Sequence, residues 1–107
     1  LDCWGLVQLI SADEFGVVLP SVVYDDSDNT IGISELVTGK KAYFTRILKP
    51  KPGAVIVINF KGLPLHVGIV IDEFRFMHTL KNIGVSIEYL NSIKWKNRIE
   101  GFYTWQK

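Results

Sequence analysis

A single cysteine, Cys3, among 107 residues leaves no partner for an intrachain disulfide. That excludes a stapled mini-fold and a Cys-rich zinc site. Long apolar runs are missing too. The longest, such as 54–58 and 67–71, fall far short of the roughly 20 residues a membrane-spanning helix needs, so no membrane span is expected. No charged-then-apolar leader opens the sequence, and a longer parent chain would be the place for one. Charge of one sign is scarce: 12 Lys and Arg against 11 Asp and Glu give a formal net charge of +1. No basic run exceeds two residues, so no nucleic-acid partner is expected.

What is present is apolar bulk. Hydrophobic residues make up 48% of the chain and charged residues 21%, enough for one core in a single domain over 1–107. Residues 1–15 read as a helix, with Leu6, Leu9, Ile10 and, after a drift of one, Asp13 near a 3.6-residue period. Asp2 suits its N-cap and Gly16 its left-handed end, which puts Cys3 at the first helical position. A polar loop at 25–29 precedes a weaker helix over 31–38, closed by Gly39. Then the pattern changes. Pro50-Lys51-Pro52-Gly53 is a turn, and β-branched runs follow at 54–60, 65–71, 74–79 and 84–89. Residues 90–97 suit a helical turn and 99–105 a last strand. Helices first and closely spaced strands after give an α+β fold built on an antiparallel meander.

Three residues carry candidate chemistry. A free cysteine is ordinarily a small buried hydrophobe, but one at a helix N-terminus meets a dipole that favours the nucleophilic thiolate. Only two histidines exist, His66 and His78, each in an apolar run where a histidine is usually structural. An odd-length hairpin loop centred on Asp72 would set the two rings directly opposite on one face. A two-residue loop at Asp72-Glu73 would separate them; the odd loop is the expectation. Cys3, His66 and His78 then match a nucleophile, a base and the group that orients the base. The Cys3 backbone N–H is the natural oxyanion donor.

These residues resemble a known family. Asp2-Cys3-Trp4-Gly5-Leu6-Val7, His66-Val67-Gly68-Ile69-Val70 and Phe76-Met77-His78-Thr79 look like the motifs of NlpC-type cell-wall cysteine peptidases, which are papain-like. Trp4 and the stretch 95–103 resemble the bacteriophage tail-associated branch. Pro52-Gly53-Ala54-Val55 resembles the family's Pro-Gly-Asp-Val turn, with Ala54 in place of Asp. The resemblance implies an N-terminal helix bearing the nucleophile, packed on an antiparallel sheet. It also implies hydrolysis of a peptidoglycan stem-peptide amide, usually γ-D-glutamyl to a diamino acid, with no cofactor. Cys3 would be the nucleophile, His66 the base and His78 the third polar residue. The partners implied are stem peptides at the bacterial wall and other phage tail proteins, the chain acting within a virion or a larger secreted protein. The segment that normally precedes Asp-Cys, often with an oxyanion-assisting tyrosine, is absent here, which suggests a fragment or processed form.

Two other readings compete. A non-catalytic wall-binding or tail-assembly module could share the fold. One thiolate and two imidazoles could also supply three zinc ligands, although neither histidine sits in a His-x-x-x-His helix. Trp4 is first a packing residue and second a wall of the substrate cleft. Asp25, Asp26 and Asp28 lack the glycine and closing glutamate of a calcium loop.

Overall fold

Asp2 and Gly16 bound the first helix as their chemistry dictates. In the computed structural model, which describes residues 2–19, 44–60, 63–80 and 83–105, helix α1 spans Cys3–Phe15. The Asp2 carboxylate accepts from the Gly5 N–H at 2.7 Å. Gly16 takes φ 67°, and the Val17 N–H turns back to the Ser11 carbonyl at 2.9 Å. The buried face differs from the expected stripe. Trp4, Leu6, Val7 and Ser11 point inward, whereas Leu9 is 47% exposed. The indole of Trp4, edge-to-face with Phe44 at 6.3 Å, occupies the centre of the packed face. The loop at 25–29 and the helix expected over 31–38 lie outside the described residues.

Six strands follow among the described residues: β1 (Phe44–Ile47), β2 (Val55–Phe60), β3 (Leu63–Val70), β4 (Arg75–Leu80), β5 (Gly84–Tyr89) and β6 (Ile99–Trp105). They form one sheet in the order β1-β6-β2-β3-β4-β5, antiparallel throughout. β2 to β5 are the expected meander. β6 departs from it, returning to lie between β1 and β2. Val55 to Ile58 on β2 are each at most 2% exposed, so β2 is buried on both faces and reads as a continuous apolar run. Such a strand left at an edge would hold unpaired polar backbone in the core; β6 pairs it.

The strand period of two sorts the core into two layers. On one face Val55, Val57, Val67, Ile69 and Tyr103 pack with Trp4 and Val7 of α1. On the other, Ile56, Ile58, Val70 and Phe76 pack with Leu90 and Trp95. Residues 90–98 are consecutive turns, with one helical bond from Lys96 N–H to the Ser92 carbonyl at 2.9 Å.

Two turns fix the strands that matter for function. The Ala54 N–H bonds the Lys51 carbonyl at 2.9 Å, with Gly53 at φ 87° between them, a glycine-requiring turn as Pro52-Gly53 predicts. Between β3 and β4, Asp72 Oδ1 accepts from the N–H groups of Phe74 at 2.8 Å and Arg75 at 2.9 Å. Asp72 Oδ2 takes the Arg75 guanidinium at 2.8 Å. The side chain therefore opens the turn instead of sitting at its tip, and the Ile71 N–H to Arg75 carbonyl bond closes it. The register is Ile69↔Met77 and Val70↔Phe76, an odd loop centred on Glu73. The expected centre at Asp72 is thus corrected by one residue. Continuing this register sets His78 across from Gly68, two residues from His66.

Candidate active site

Strand alternation keeps His66 and His78 on one face despite the shifted register, because an odd loop preserves parity. His66 Nε2 and His78 Nδ1 lie 2.8 Å apart, with ring centroids at 5.0 Å and planes inclined by 66°. Gly68 makes this possible. A Cβ there would lie 2.7 Å from the Met77 carbonyl oxygen and 3.1 Å from His78 Cβ. His66 pairs with Ile58, and β2 is irregular on both sides there, between Ile58 and Phe60 against β3 and between Val57 and Ile58 against β6. Bulges of this kind re-aim side chains beside functional sites.

His78 is fully buried, edge-to-face with Trp95 at 4.9 Å and Phe76 at 5.0 Å. Its Nε2 lies 3.2 Å from Glu88 Oε2, which also accepts from Ser86 Oγ at 2.9 Å. Glu88 is a polar member of the cluster that the sequence reading missed. The signal was present: β4 pairs β5 with Phe76↔Glu88 and His78↔Ser86, so all four residues share a face. Finding it required the register of a turn whose residues carry no strong hairpin type.

Cys3 is half-buried at the first position of α1. Its sulfur lies among the backbone N–H groups of Val67, Trp4 and Cys3 itself. Val67 follows His66 directly, and its side chain packs under α1 while its amide meets the sulfur. Burial pushes the thiol above its ordinary range; the Val67 amide pulls the other way and the Asp2 carboxylate adds to the rise. At this helix end burial outweighs the backbone N–H groups around the sulfur, so the thiol lies on the raised side where helix position alone suggests a depressed one.

The imidazoles are shifted the opposite way. Burial, with the His78 ring adding to it, lowers His66 to about 4. Burial also lowers His78, against the opposing hydrogen bond and charge of Glu88. Burial would raise Glu88, but the hydrogen bonds with His78 and Ser86 help outweigh it and hold the carboxyl below its usual range. The directions favour the neutral forms of the thiol and of both imidazoles, beside an ionised Glu88 carboxylate.

Trp4 is fully buried, so its place is the packing role; it has no exposed surface with which to line a cleft. Among the described residues, no three His, Cys, Asp or Glu side chains are grouped to hold a metal ion, and no helix is long and apolar enough to cross a membrane.

An N-terminal helix carrying the cysteine, packed on an antiparallel sheet carrying both histidines, is the α+β papain-like architecture. The chain belongs to the NlpC/P60 family, whose pattern matches residues 1–104. It is similar to the murein DD-endopeptidase MepS/murein LD-carboxypeptidase of Escherichia coli, 28% identical over 98 residues, in three strains. That match covers 92% of this chain and 46% of the relative, so the chain spans about half the length of the curated relatives it matches. Its fold is like the crystal structure of a lipoprotein-like NLP/P60 protein from Staphylococcus aureus, with a TM-score of 0.62 at 23% identity, covering 99% of this chain and 32% of the other.

Proposed function

We propose that this chain is a thiol-dependent hydrolase of amide bonds in peptidoglycan stem peptides. Cys3 is the nucleophile, His66 the general base and acid, and His78 the group that orients His66. One observation carries the reading: the 2.8 Å bond between His66 and His78, on a strand whose next amide meets the Cys3 sulfur. Family membership and the name of the Escherichia coli relative support the substrate class.

The resting state is neutral, so proton transfer accompanies attack. The thiol proton passes to His66 as sulfur bonds to the carbonyl carbon. Negative charge develops on the carbonyl oxygen near the start of α1, where backbone N–H groups stabilise it. Collapse breaks the C–N bond, and the imidazolium proton leaves with the amine. Water then attacks the thioester, its proton passing through His66 to the departing sulfur. The products are a carboxylic acid and an amine, and the thiol is restored.

The resemblance favours the γ-D-glutamyl–diamino acid bond, whereas the relative is named for DD and LD bonds. Digestion of purified peptidoglycan, with fragment masses read and Cys3→Ala as control, decides among them. Fragments ending in γ-D-glutamate are expected. Cys3-dependent cuts at DD positions move the bond but keep the hydrolase. Absence of Cys3-dependent fragments overturns the hydrolase and favours a wall-binding or tail-assembly module. The likeness of Trp4 and residues 95–103 to the phage branch further supports a tail-associated setting, tested by detecting the chain in purified virions.

A further inference from the structure

We infer that Glu88 is a positioning residue that sets the direction of the histidine relay by fixing the tautomer of His78. The inference rests on the hydrolase reading above and concerns a residue that reading does not use. A carboxylate can only accept hydrogen bonds. At 3.2 Å from His78 Nε2, Glu88 Oε2 therefore requires the proton on that nitrogen. A neutral His78 protonated at Nε2 presents a lone pair at Nδ1, so the 2.8 Å contact with His66 must be donated by His66 Nε2–H. A neutral His66 protonated at Nε2 has its basic lone pair at Nδ1, the nitrogen suited to take the thiol proton. Without Glu88, the opposite chain is equally allowed. His78 Nδ1–H would then donate to His66 Nε2, and the His66 proton would sit on Nδ1, where a base is needed.

The surroundings hold Glu88 to this task. Ser86 Oγ donates to the same oxygen at 2.9 Å, and the carboxylate is only 25% exposed. The polar and charged groups facing His78 are His66 on β3, Ser86 and Glu88 on β5, and Lys94 in the 90–98 turns, whose ammonium lies 5.1 Å from the Trp95 ring centre. Glu88 is the anionic acceptor among them. The register that brings it there, Phe76↔Glu88 beside His78↔Ser86, places it diagonal to His78, within reach of a longer side chain.

The test pairs ring-nitrogen NMR shifts of His66 and His78 with steady-state hydrolysis of a stem-peptide substrate. In the native chain both rings are expected to carry their proton on Nε2. Glu88→Ala should mix the His78 tautomers and lower kcat about 10- to 100-fold with KM nearly unchanged, the range typical of partners acting through another ligand or base. Glu88→Gln, whose amide oxygen still accepts from Nε2–H, should keep the tautomer and most of the rate. Native His78 protonated on Nδ1 overturns the inference. So does a folded Glu88→Ala chain with native tautomers or native kcat. Should Glu88→Ala unfold, the native and Glu88→Gln spectra still decide. A chain that hydrolyses nothing refutes the proposed function while the tautomer readings still judge the relay.

Discussion

Acid should destabilise this fold through His66, and by a predictable amount. In the unfolded chain its imidazole titrates near the ordinary 6.5, whereas in the fold burial and the His78 ring lower it to about 4. Between those values the unfolded chain binds a proton that the folded chain does not, so each drop in pH favours unfolding. The stability is fully present above pH 6.5 and is lost as pH falls through 4. At about 1.4 kcal/mol per pH unit, this histidine alone removes about 3 kcal/mol across the window, a large share of a typical domain's stability. His66→Gln keeps an amide that can donate to His78 and removes the titration. Urea unfolding followed by tryptophan fluorescence at steps from pH 7 to 4 measures both proteins. The native chain should lose about 3 kcal/mol more than the variant over that range. His78, Glu88 and Asp72, all lowered in the fold, leave a residual acid slope in both. Equal acid losses in the two proteins would refute the assignment of the buried neutral imidazole to His66.

Three further outcomes follow from particular contacts. Gly68→Ala forces a Cβ to 2.7 Å from the Met77 carbonyl and 3.1 Å from His78 Cβ, so thermal melting should show a loss of about 1–3 kcal/mol, as overpacking costs; an unchanged Tm would mean that β4 yields freely. Asp2→Ala removes the acceptor for the Gly5 N–H and should cost about 1 kcal/mol in urea unfolding, while Asp2→Asn retains most of it. Alkylation of Cys3 by iodoacetamide should be slow at pH 6 and rise with pH beyond the ordinary thiol range, because burial raises the thiol. A fast plateau already at pH 6 would show a resting thiolate.

The parts of this fold that were legible in the sequence are those governed by local chemistry. Asp2 and Gly16 bound α1 because a cap and a left-handed end need those side chains within a turn of the helix. The apolar run at 54–60 announced β2, and the closing aromatic run announced β6 with its bounds. The insertion of β6 between β1 and β2 was not legible, because it depends on which distant strand satisfies the second edge of a doubly buried β2. The rise of the Cys3 thiol was not legible for a related reason. Helix position can be read from a sequence, whereas the desolvation that overrides it comes from packing with Val67 and its neighbours.

The histidine pair shows how a partly legible pattern can still carry chemistry. Parity alone, fixed by an odd loop, puts both rings on one face whichever residue sits at the tip. Register decides what the rings can do there. Directly opposed side chains have Cβ atoms about 4.5–5.5 Å apart, and diagonal ones about 7–8 Å or somewhat less. Direct opposition, the arrangement expected from a tip at Asp72, would press two imidazoles together and compete with an in-line hydrogen bond. The diagonal offset created by the Asp72 carboxylate gives each ring room to turn. The result is a 66° inclination and a 2.8 Å contact between Nε2 and Nδ1. The same offset places His78 against Gly68, the position where a missing side chain is required. A half-buried aspartate at the opening of the turn thus sets the geometry of a buried histidine pair, and the loop that supplied the misleading expectation also supplies the observed arrangement.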